Sequence, residues 1–322
     1  MRIIEGVEAL RADVGGSSGT SVVIGTFDGV HLGHRRLIEA GVSRARTGGM
    51  TSCCVTWDRH PSQTLAPARV PPVITPFARK QELVAALGVD EVVVLPFDEA
   101  FRSWSPEHFV TEVLVDGLSA RAVVVGRGFR FGHRAAGDTA LLKSLGDRLG
   151  FEVDAEDLVE VGGSPVSSTR VRTAIAAGDV VEARRLLGRA WDLDGVVLQG
   201  DRRGSSLGYP TANVELDLSL AQPPNGVYAG RARAGGTWFT SAVNVGVNPT
   251  FASATPAMPR LEAYLVGFGG DLYGRRLRVE LWERLRDEIS FSSAEELVVQ
   301  IARDVVATRK LVEGVTDRPH AP

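Results

Sequence analysis

The chain has 322 residues, 44% of them hydrophobic and 23% charged, with a net charge of −3. These are ordinary globular values, and the length suffices for two domains with separate cores. The near-neutral balance excludes a field strong enough to gather nucleic acid or anionic membrane, and no apolar run approaches bilayer-spanning length. Lysine occurs only at Lys80, Lys143 and Lys310. A Walker-type loop needs G-x-x-x-x-G-K-[ST]; the closest approach, Gly137 to Lys143-Ser144, has Leu142 at the second glycine. Any nucleotide site therefore uses another scheme. Cys53 and Cys54 are adjacent in an apolar run. On a strand they point to opposite faces, which predicts neither a mutual disulfide nor a shared metal site. The start, Met1 to Glu8, lacks the apolar core of a signal peptide. The expectation is a reduced, cytoplasmic protein.

In chain order, strand-like runs fall at 21–24, 53–57, 91–95 and 122–125, with helix-like stretches between them. Ser105-Pro106-Glu107 reads as a helix start, followed by Phe109, Val110, Val113 and Leu114 at helical spacing. Alternating strands and helices predict a parallel sheet covered on both faces, with ligands beyond the carboxyl ends of its strands.

Three loops after these strands carry chemistry. The first is Gly25-Thr-Phe-Asp-Gly-Val-His-Leu-Gly-His34. Gly25 and Gly29 permit a tight turn, and Leu37, Ile38 and Val42 continue at helical spacing. His31 and His34 then sit where a strand hands over to a helix, where free N–H groups and the helix dipole favour phosphate. An isolated H-x-x-H more often merely caps a helix; the lead-in strand and the Gly-Thr-Phe-Asp-Gly run argue for phosphate here. The second loop is Thr56-Trp-Asp-Arg-His-Pro61. The third, Gly126 to Asp138, carries Arg127, Arg130 and Arg134 among four glycines and suits a flexible loop meeting an anion and a flat ring. A fourth segment, Ser167-Ser-Thr-Arg-Val-Arg172, offers hydroxyls and Arg172 at a helix start.

We place a domain junction near Gly188, dividing 1–187 from 188–322. Beyond it, strand-like runs fall at 195–198, 226–232, 238–245, 261–266 and 277–281, separated by turns at 201–204, Gly235-Gly236 and 269–271. Short strands with regular turns predict a small antiparallel barrel. Ser293 and Glu296 form a capping box for a terminal helix carrying Leu297, Ile301 and Val305, and 319–322 reads as a loose tail. The segment Leu207-Gly-Tyr-Pro-Thr-Ala-Asn213 is dense in special residues. Thr211 and Asn213 are two apart, so on a strand their oxygens face the same way, and such ligands suit Mg²⁺.

The first loop resembles the H-x-G-H signature of the nucleotidyltransferase superfamily, and in its Phe27-Asp28-Gly29 form the bacterial bifunctional riboflavin kinase/FAD synthetases. Phe129 to Asp138 matches that family's F-R-F-G-x-x-x-x-G-D, and Ser167 to Arg172 its S-S-T-x-x-R. Pro210 to Asn213, Asn225 to Tyr228, Asn244 to Phe251, Asp271 to Gly274 and Arg286-Asp-Glu288 resemble its kinase segments in order. The likeness runs from about 20 to 312. It implies a Rossmann-like nucleotidyltransferase domain that adenylylates FMN to FAD, then a barrel with a terminal helix that phosphorylates riboflavin to FMN.

The resemblance also implies residue roles. His31, His34, Thr169 and Arg172 would hold the triphosphate and stabilise adenylyl transfer, with Gly25, Thr26, Phe27, Gly33 and Ser168 also at that nucleotide. His60, Pro61, Phe129, Arg130, Asp138 and Arg286 would meet flavin. Gly200, Gly204 and Gly208 would border the kinase nucleotide. Thr211 and Asn213 would hold Mg²⁺, and Glu262 would be the base for the ribityl hydroxyl. Ligands would be riboflavin, FMN, FAD and ATP, with no nucleic acid or membrane; no motif sets the oligomeric state. Four positions depart from the family: Gly128 replaces an Asp or Asn, Tyr264 a histidine, and Trp57 and Arg59 a Phe and a Pro. Gly128 alone supports an alternative, a kinase with an impaired adenylyltransferase domain.

Overall fold

The computed structural model describes residues 1–12, 18–199, 207–247 and 259–316. The chain divides into two compact units, Met1–Ser168 and Thr169–Pro322.

The first unit runs through β1 (Arg2–Glu5), α1 (Val7–Ala12), β2 (Thr20–Ile24), α2 (Leu32–Gly48), β3 (Thr51–Trp57), α3 (Ser62–Leu65), α4 (Phe77–Ala86) and β4 (Glu91–Leu95). It continues through α5 (Pro106–Phe109), β5 (Ala120–Gly126), β6 (Arg130–Phe131), β7 (Gly137–Asp138), α6 (Thr139–Leu149), β8 (Glu152–Glu156), β9 (Glu160–Val161) and β10 (Ser164–Pro165). Six strands lie parallel in the order β1-β4-β3-β2-β5-β8. From β2 the chain winds to β3 and β4 on one side, then crosses to β5 on the other. The order reverses beside β2, so the histidine loop opens at the switch point where such sheets bind ligands.

Both faces are buried. Val22, Ile24, Cys53 and Val55 join one core cluster; Val23 and Cys54 join the other. The two cysteines thus face opposite ways, as expected, and both are free thiols. Burial pushes the Cys54 thiol up to about 12. The helix predicted from Ser105 differs in form. Ser105 Oγ accepts from the His108 N–H at 3.1 Å, but after one turn the backbone widens into a π-helix over Val110–Val115. The wide turn lets Phe109, Val110, Val113 and Leu114 all reach the same core cluster.

Then α7 (Ser168–Ala176) and α8 (Val180–Leu187) lead into the second unit's barrel. Its strands are β11 (Trp191–Leu198), β12 (Ala212–Glu215), β13 (Gly226–Ala234), β14 (Thr237–Val247), β15 (Pro259–Leu265) and β16 (Arg276–Arg286). They close antiparallel in the order β11-β12-β15-β14-β13-β16, with β16 returning to β11. Gly235 and Gly236, at φ 56° and 90°, make the tight hairpin between β13 and β14. Closure needs Gly230, where a Cβ would stand 1.8 Å from the Glu280 carbonyl oxygen.

The terminal helix, α9 (Ala294–Thr316), packs on β13, β14 and β16, burying Val305, Thr308 and Val312. Its capping box is shifted by one residue: Ser293 Oγ accepts from the Glu296 N–H, while Glu296 reaches back to Ser292 rather than Ser293. The turn at 201–204 and the tail at 319–322 lie outside the described residues.

Candidate functional site

In the first unit the site is built from the loop joining β2 to α2. His31 is the N-cap of α2; its Nδ1 accepts from the His34 N–H at 3.3 Å. The two imidazoles stack at 3.6 Å between centroids, tilted by 15°, and the Phe27 ring meets His34 edge-on at 5.3 Å. His31 is buried, and His34 is half-buried with Nδ1 inaccessible and without a hydrogen-bond partner among the described residues. Burial, then the His31 and Lys80 charges, hold the His34 imidazole well below the usual histidine range. It is therefore neutral at pH 7 and presents nitrogen lone pair or N–H rather than charge.

The loop is held in a strained form. Phe27 and Val30 adopt left-handed backbone at φ 50° and 41°. Buried Asp28 clamps it, accepting from the Ile74 N–H at 3.0 Å and the Thr75 N–H at 3.2 Å. Ser168 Oγ donates to the Asp28 carbonyl at 2.9 Å. Phe27, a predicted nucleotide contact, is fully buried in the core and serves to pack the loop. Thr169 is exposed on α7, and Arg172 is half-buried on the same helix.

Beside this loop lies a pocket of about 500 Å³ walled by aromatic side chains. Trp57, Phe97, Phe101, Trp104, Phe129 and Phe131 line it, Gly25 and Thr26 border it, and Arg102, Arg130 and Arg134 supply cations. Phe129 and Phe131 stack at 5.4 Å, and Phe101 and Trp104 lie 4.9 Å apart. Its shape and walls suit a flat, partly anionic heteroaromatic molecule. Of the predicted flavin contacts, Pro61, Phe129 and Arg130 line it. His60 instead stiffens its turn, Nδ1 accepting from the Ser62 N–H at 3.2 Å. Asp138 caps α6 by accepting from the Leu141 N–H at 2.9 Å.

The loop after β5, expected to be flexible, is tied down. The His133 N–H donates to the Trp104 carbonyl at 2.7 Å, and Arg134 and Ala135 are fixed at φ 53° and 56°. Sequence reasoning missed Phe97, Phe101 and Trp104. The signal available was the aromatic clustering of 97–109 just past the carboxyl end of a strand.

In the barrel, Asn213 on β12 stands directly opposite Glu262 on β15, and Glu262 directly opposite Asn244 on β14. Residues opposed across an antiparallel pair share a face, so the three polar side chains form a row. The Asn213 Oδ1 is buried and lacks a hydrogen-bond partner among the described residues. An orphaned amide oxygen beside a carboxylate fits a hard cation. Glu262 has its side chain one-third exposed, with Arg260 Nε 3.2 Å away. Thr211, half-buried, immediately precedes β12. Tyr264, two residues past Glu262, meets Tyr209 edge-on at 5.2 Å and so packs on the segment carrying Gly208 and Thr211. Gly208 is exposed at φ 82°.

Arg286, a predicted flavin contact, is engaged with α9: Nε and Nη2 reach the buried Asp304 carboxylate at 3.1 and 2.7 Å. Gly200 and Gly204, and the 248–251 part of the kinase-like segment, lie outside the described residues.

A parallel α/β unit with a histidine loop at its switch point, followed by an antiparallel barrel with a polar row, defines a two-domain nucleotide-using transferase. Comparison with known proteins gives the particulars. Residues 15–170 match the FAD synthetase family model, and 187–312 match the riboflavin kinase model. The Pseudomonas fluorescens bifunctional riboflavin kinase/FMN adenylyltransferase is 40% identical over 97% of this chain and 98% of its own. Its Bacillus subtilis namesake is 36% identical over 88% and 89%. A solved Streptococcus pneumoniae structure, described as a macrolide-efflux protein, aligns at TM-score 0.87 and 30% identity, covering 96% of this chain and 99% of that one. The chain belongs to the bifunctional riboflavin kinase/FMN adenylyltransferase family. Among the described residues, no helix is long and apolar enough to cross a membrane.

Proposed function

We propose that the chain performs the family's two reactions in succession, in two domains divided near Gly188. The chain phosphorylates riboflavin to FMN and adenylylates FMN to FAD. We assign adenylyl transfer to 1–187 and phosphorylation to 188–322, in the cytoplasm, with riboflavin, FMN, FAD and ATP as ligands rather than nucleic acid or lipid. The observation that carries this reading is the Asn213–Glu262 pair in one unit and the His31–His34 stack in the other. One suits activation of a hydroxyl beside a metal; the other suits charge stabilisation without a nucleophile.

For adenylyl transfer, an FMN phosphate oxygen attacks the α-phosphorus of ATP, the bond to the β-phosphate oxygen breaks, and pyrophosphate leaves. No covalent enzyme intermediate is required, so the residues act by positioning and by offsetting charge. His31 and His34 meet the phosphates, with the backbone N–H groups of Thr26 and Gly33; the Gly25 N–H donates to the Val55 carbonyl at 3.1 Å and Phe27 is fully buried, so these two shape the loop rather than donate to the nucleotide. The resemblance adds Ser168, Thr169 and Arg172 to the nucleotide's contacts. The aromatic pocket takes the isoalloxazine, with Pro61 and Phe129 against the ring and Arg130 toward the phosphate. His60 and Asp138 hold that wall in shape.

For phosphorylation, Glu262 accepts the proton of the ribityl hydroxyl as its oxygen attacks the γ-phosphorus and ADP leaves. Thr211 and Asn213 supply oxygens to Mg²⁺, which when bound offsets charge on the phosphates. The glycines at 200, 204 and 208 border that nucleotide, and Arg286 shapes the flavin side through its hold on α9.

The test feeds riboflavin, ATP and Mg²⁺ to the protein and follows FMN and FAD by chromatography. Glu262→Gln is expected to stop FMN formation while still converting supplied FMN to FAD; His34→Gln is expected to do the reverse. Loss of both activities in either variant contradicts the assignment.

A further inference from the structure

The short hairpin of β6 and β7 supplies both a wall and a charge to the aromatic pocket. Arg130 pairs with Asp138 and Phe131 with Gly137, and the turn between them carries Arg134. That turn is tied to the segment 102–106. The His133 N–H donates to the Trp104 carbonyl at 2.7 Å. His133 Nδ1 lies 3.1 Å from the Arg102 carbonyl, which can only accept, so Nδ1 carries the proton. Gly132, at φ 72°, lies so close to Pro106 that a Cβ would stand 2.7 Å from its ring. The aromatic wall at Phe131 and the cation at Arg134 are therefore held at a fixed spacing.

The conformation is a costly one. Arg134 and Ala135 both lie in the left-handed region, at φ 53° and 56°. Glycine holds such a backbone freely, whereas arginine is strained in it. Among the described residues five non-glycine positions have positive φ; two are in the histidine loop and two are in this turn. Strain of this kind persists where the surroundings enforce it, and it gathers at ligand sites.

The cations of the pocket are not equivalent. Arg102 Nε lies 2.7 Å from Glu99, and its Nη1 donates to the Thr64 carbonyl at 3.2 Å. Arg130 Nη1 lies 3.6 Å from Asp138. Arg134 lines the same pocket, and among the described residues no carboxylate pairs with it. The first two charges are offset in place; the third is left for a ligand. A flavin ring is neutral near neutral pH and gains only stacking from the aromatic walls. The FMN phosphate is the anion that a guanidinium can grip with two parallel hydrogen bonds.

We propose that Arg134 selects FMN over unphosphorylated flavin, its guanidinium pairing with the FMN phosphate while the ring lies against Phe129 and Phe131. This rests on the reading of the aromatic pocket as the FMN site of adenylyl transfer. The contact is made in the bound substrate, so its loss appears in KM rather than kcat. Arg134 is exposed, so water screens the pair, and the effect is about tenfold rather than the roughly 100-fold of a buried one.

Arg134→Gln tests it by removing the charge and keeping most of the reach. FAD formation from FMN, ATP and Mg²⁺ is followed with lumiflavin, the ring without ribityl chain or phosphate, as competing ligand. The expected result is a rise in KM for FMN of about tenfold, with kcat within about threefold and the lumiflavin inhibition constant unchanged. Added salt raises KM for the wild type more than for Arg134→Gln. Arg134→Gly, which relieves the left-handed strain, raises KM to the same extent without lowering Tm. Retention of KM within about twofold in Arg134→Gln overturns the inference. So does a lumiflavin constant that rises in step with KM, since the arginine then serves the ring or the shape of the pocket. Phe129→Ala run in parallel separates the failures. If it leaves both constants intact, the pocket is not the FMN site and the inference falls with that reading. If it raises both while Arg134→Gln raises neither, only the Arg134 inference has failed.

Discussion

Asn213 faces Glu262 across the β12–β15 ladder, and its buried Oδ1 has no hydrogen-bond partner among the described residues. A buried oxygen left unsatisfied by protein is destabilising on its own and useful only to a ligand.

Asn213→Leu should therefore separate stability from activity. We expect the barrel's Tm to hold or rise, because the orphaned amide is removed, while FMN formation falls at least 100-fold. Thermal melts and chromatographic assay of the same preparation check this; a large drop in Tm would mean that the amide is bonded after all.

Glu262→Gln keeps shape and removes the base. Kinase turnover should fall by roughly 10²–10⁴-fold, with little change in KM for riboflavin. A Glu262→Gln enzyme that retained more than about a tenth of its turnover would place the proton acceptor elsewhere.

His34 sets a pH dependence of stability. Its folded value lies below its unfolded one because of burial, then His31 and Lys80, so below the ordinary histidine range the unfolded chain binds more protons. Stability is then intact above about pH 6.5 and declines as pH falls below it. Melts of wild type and His34→Gln between pH 5 and 8 should show the wild type losing more on the acid side. Parallel curves would place the ring in solvent.

Arg286 and Asp304 tie the barrel to α9. Asp304→Asn leaves the half-buried Arg286 guanidinium without its countercharge and should destabilise the second unit by about 1.5–3 kcal/mol, the loss of hydrogen bonding to a charged group. The flavin contribution of Arg286 then has to be read from Arg286→Lys, by comparing KM for riboflavin with Tm. A Tm that ignored both changes would remove the pair from the account.

Gly128 has space. A Cβ there meets nothing within 4 Å, and the residue borders the aromatic pocket. Gly128→Asn should fold as the wild type does and lower KM for FMN about fivefold, the effect of one added hydrogen bond. An unchanged KM would show that the position makes no contact with flavin.

Much of this was legible in the sequence. The motif loops, the central strands, the barrel and the opposed cysteines followed from apolar runs and turn residues. β8, Glu-Val-Asp-Ala-Glu, escaped because a charged edge strand buries no residue fully and shows no apolar run. In β1 only Ile4 is buried. The aromatic pocket escaped because its walls come from the loops after β3, β4 and β5, which meet only in the fold. Arg286 was read through its motif, whereas its geometry is set by Asp304 on a later helix.

The central claim is two nucleotide sites on one chain. Titrating the wild type with a nonhydrolysable ATP analogue and Mg²⁺ in a calorimeter should give two bound nucleotides per chain, with Asn213→Leu and His34→Gln each weakening a different one. A single bound nucleotide, or one site weakened by both substitutions, would contradict it.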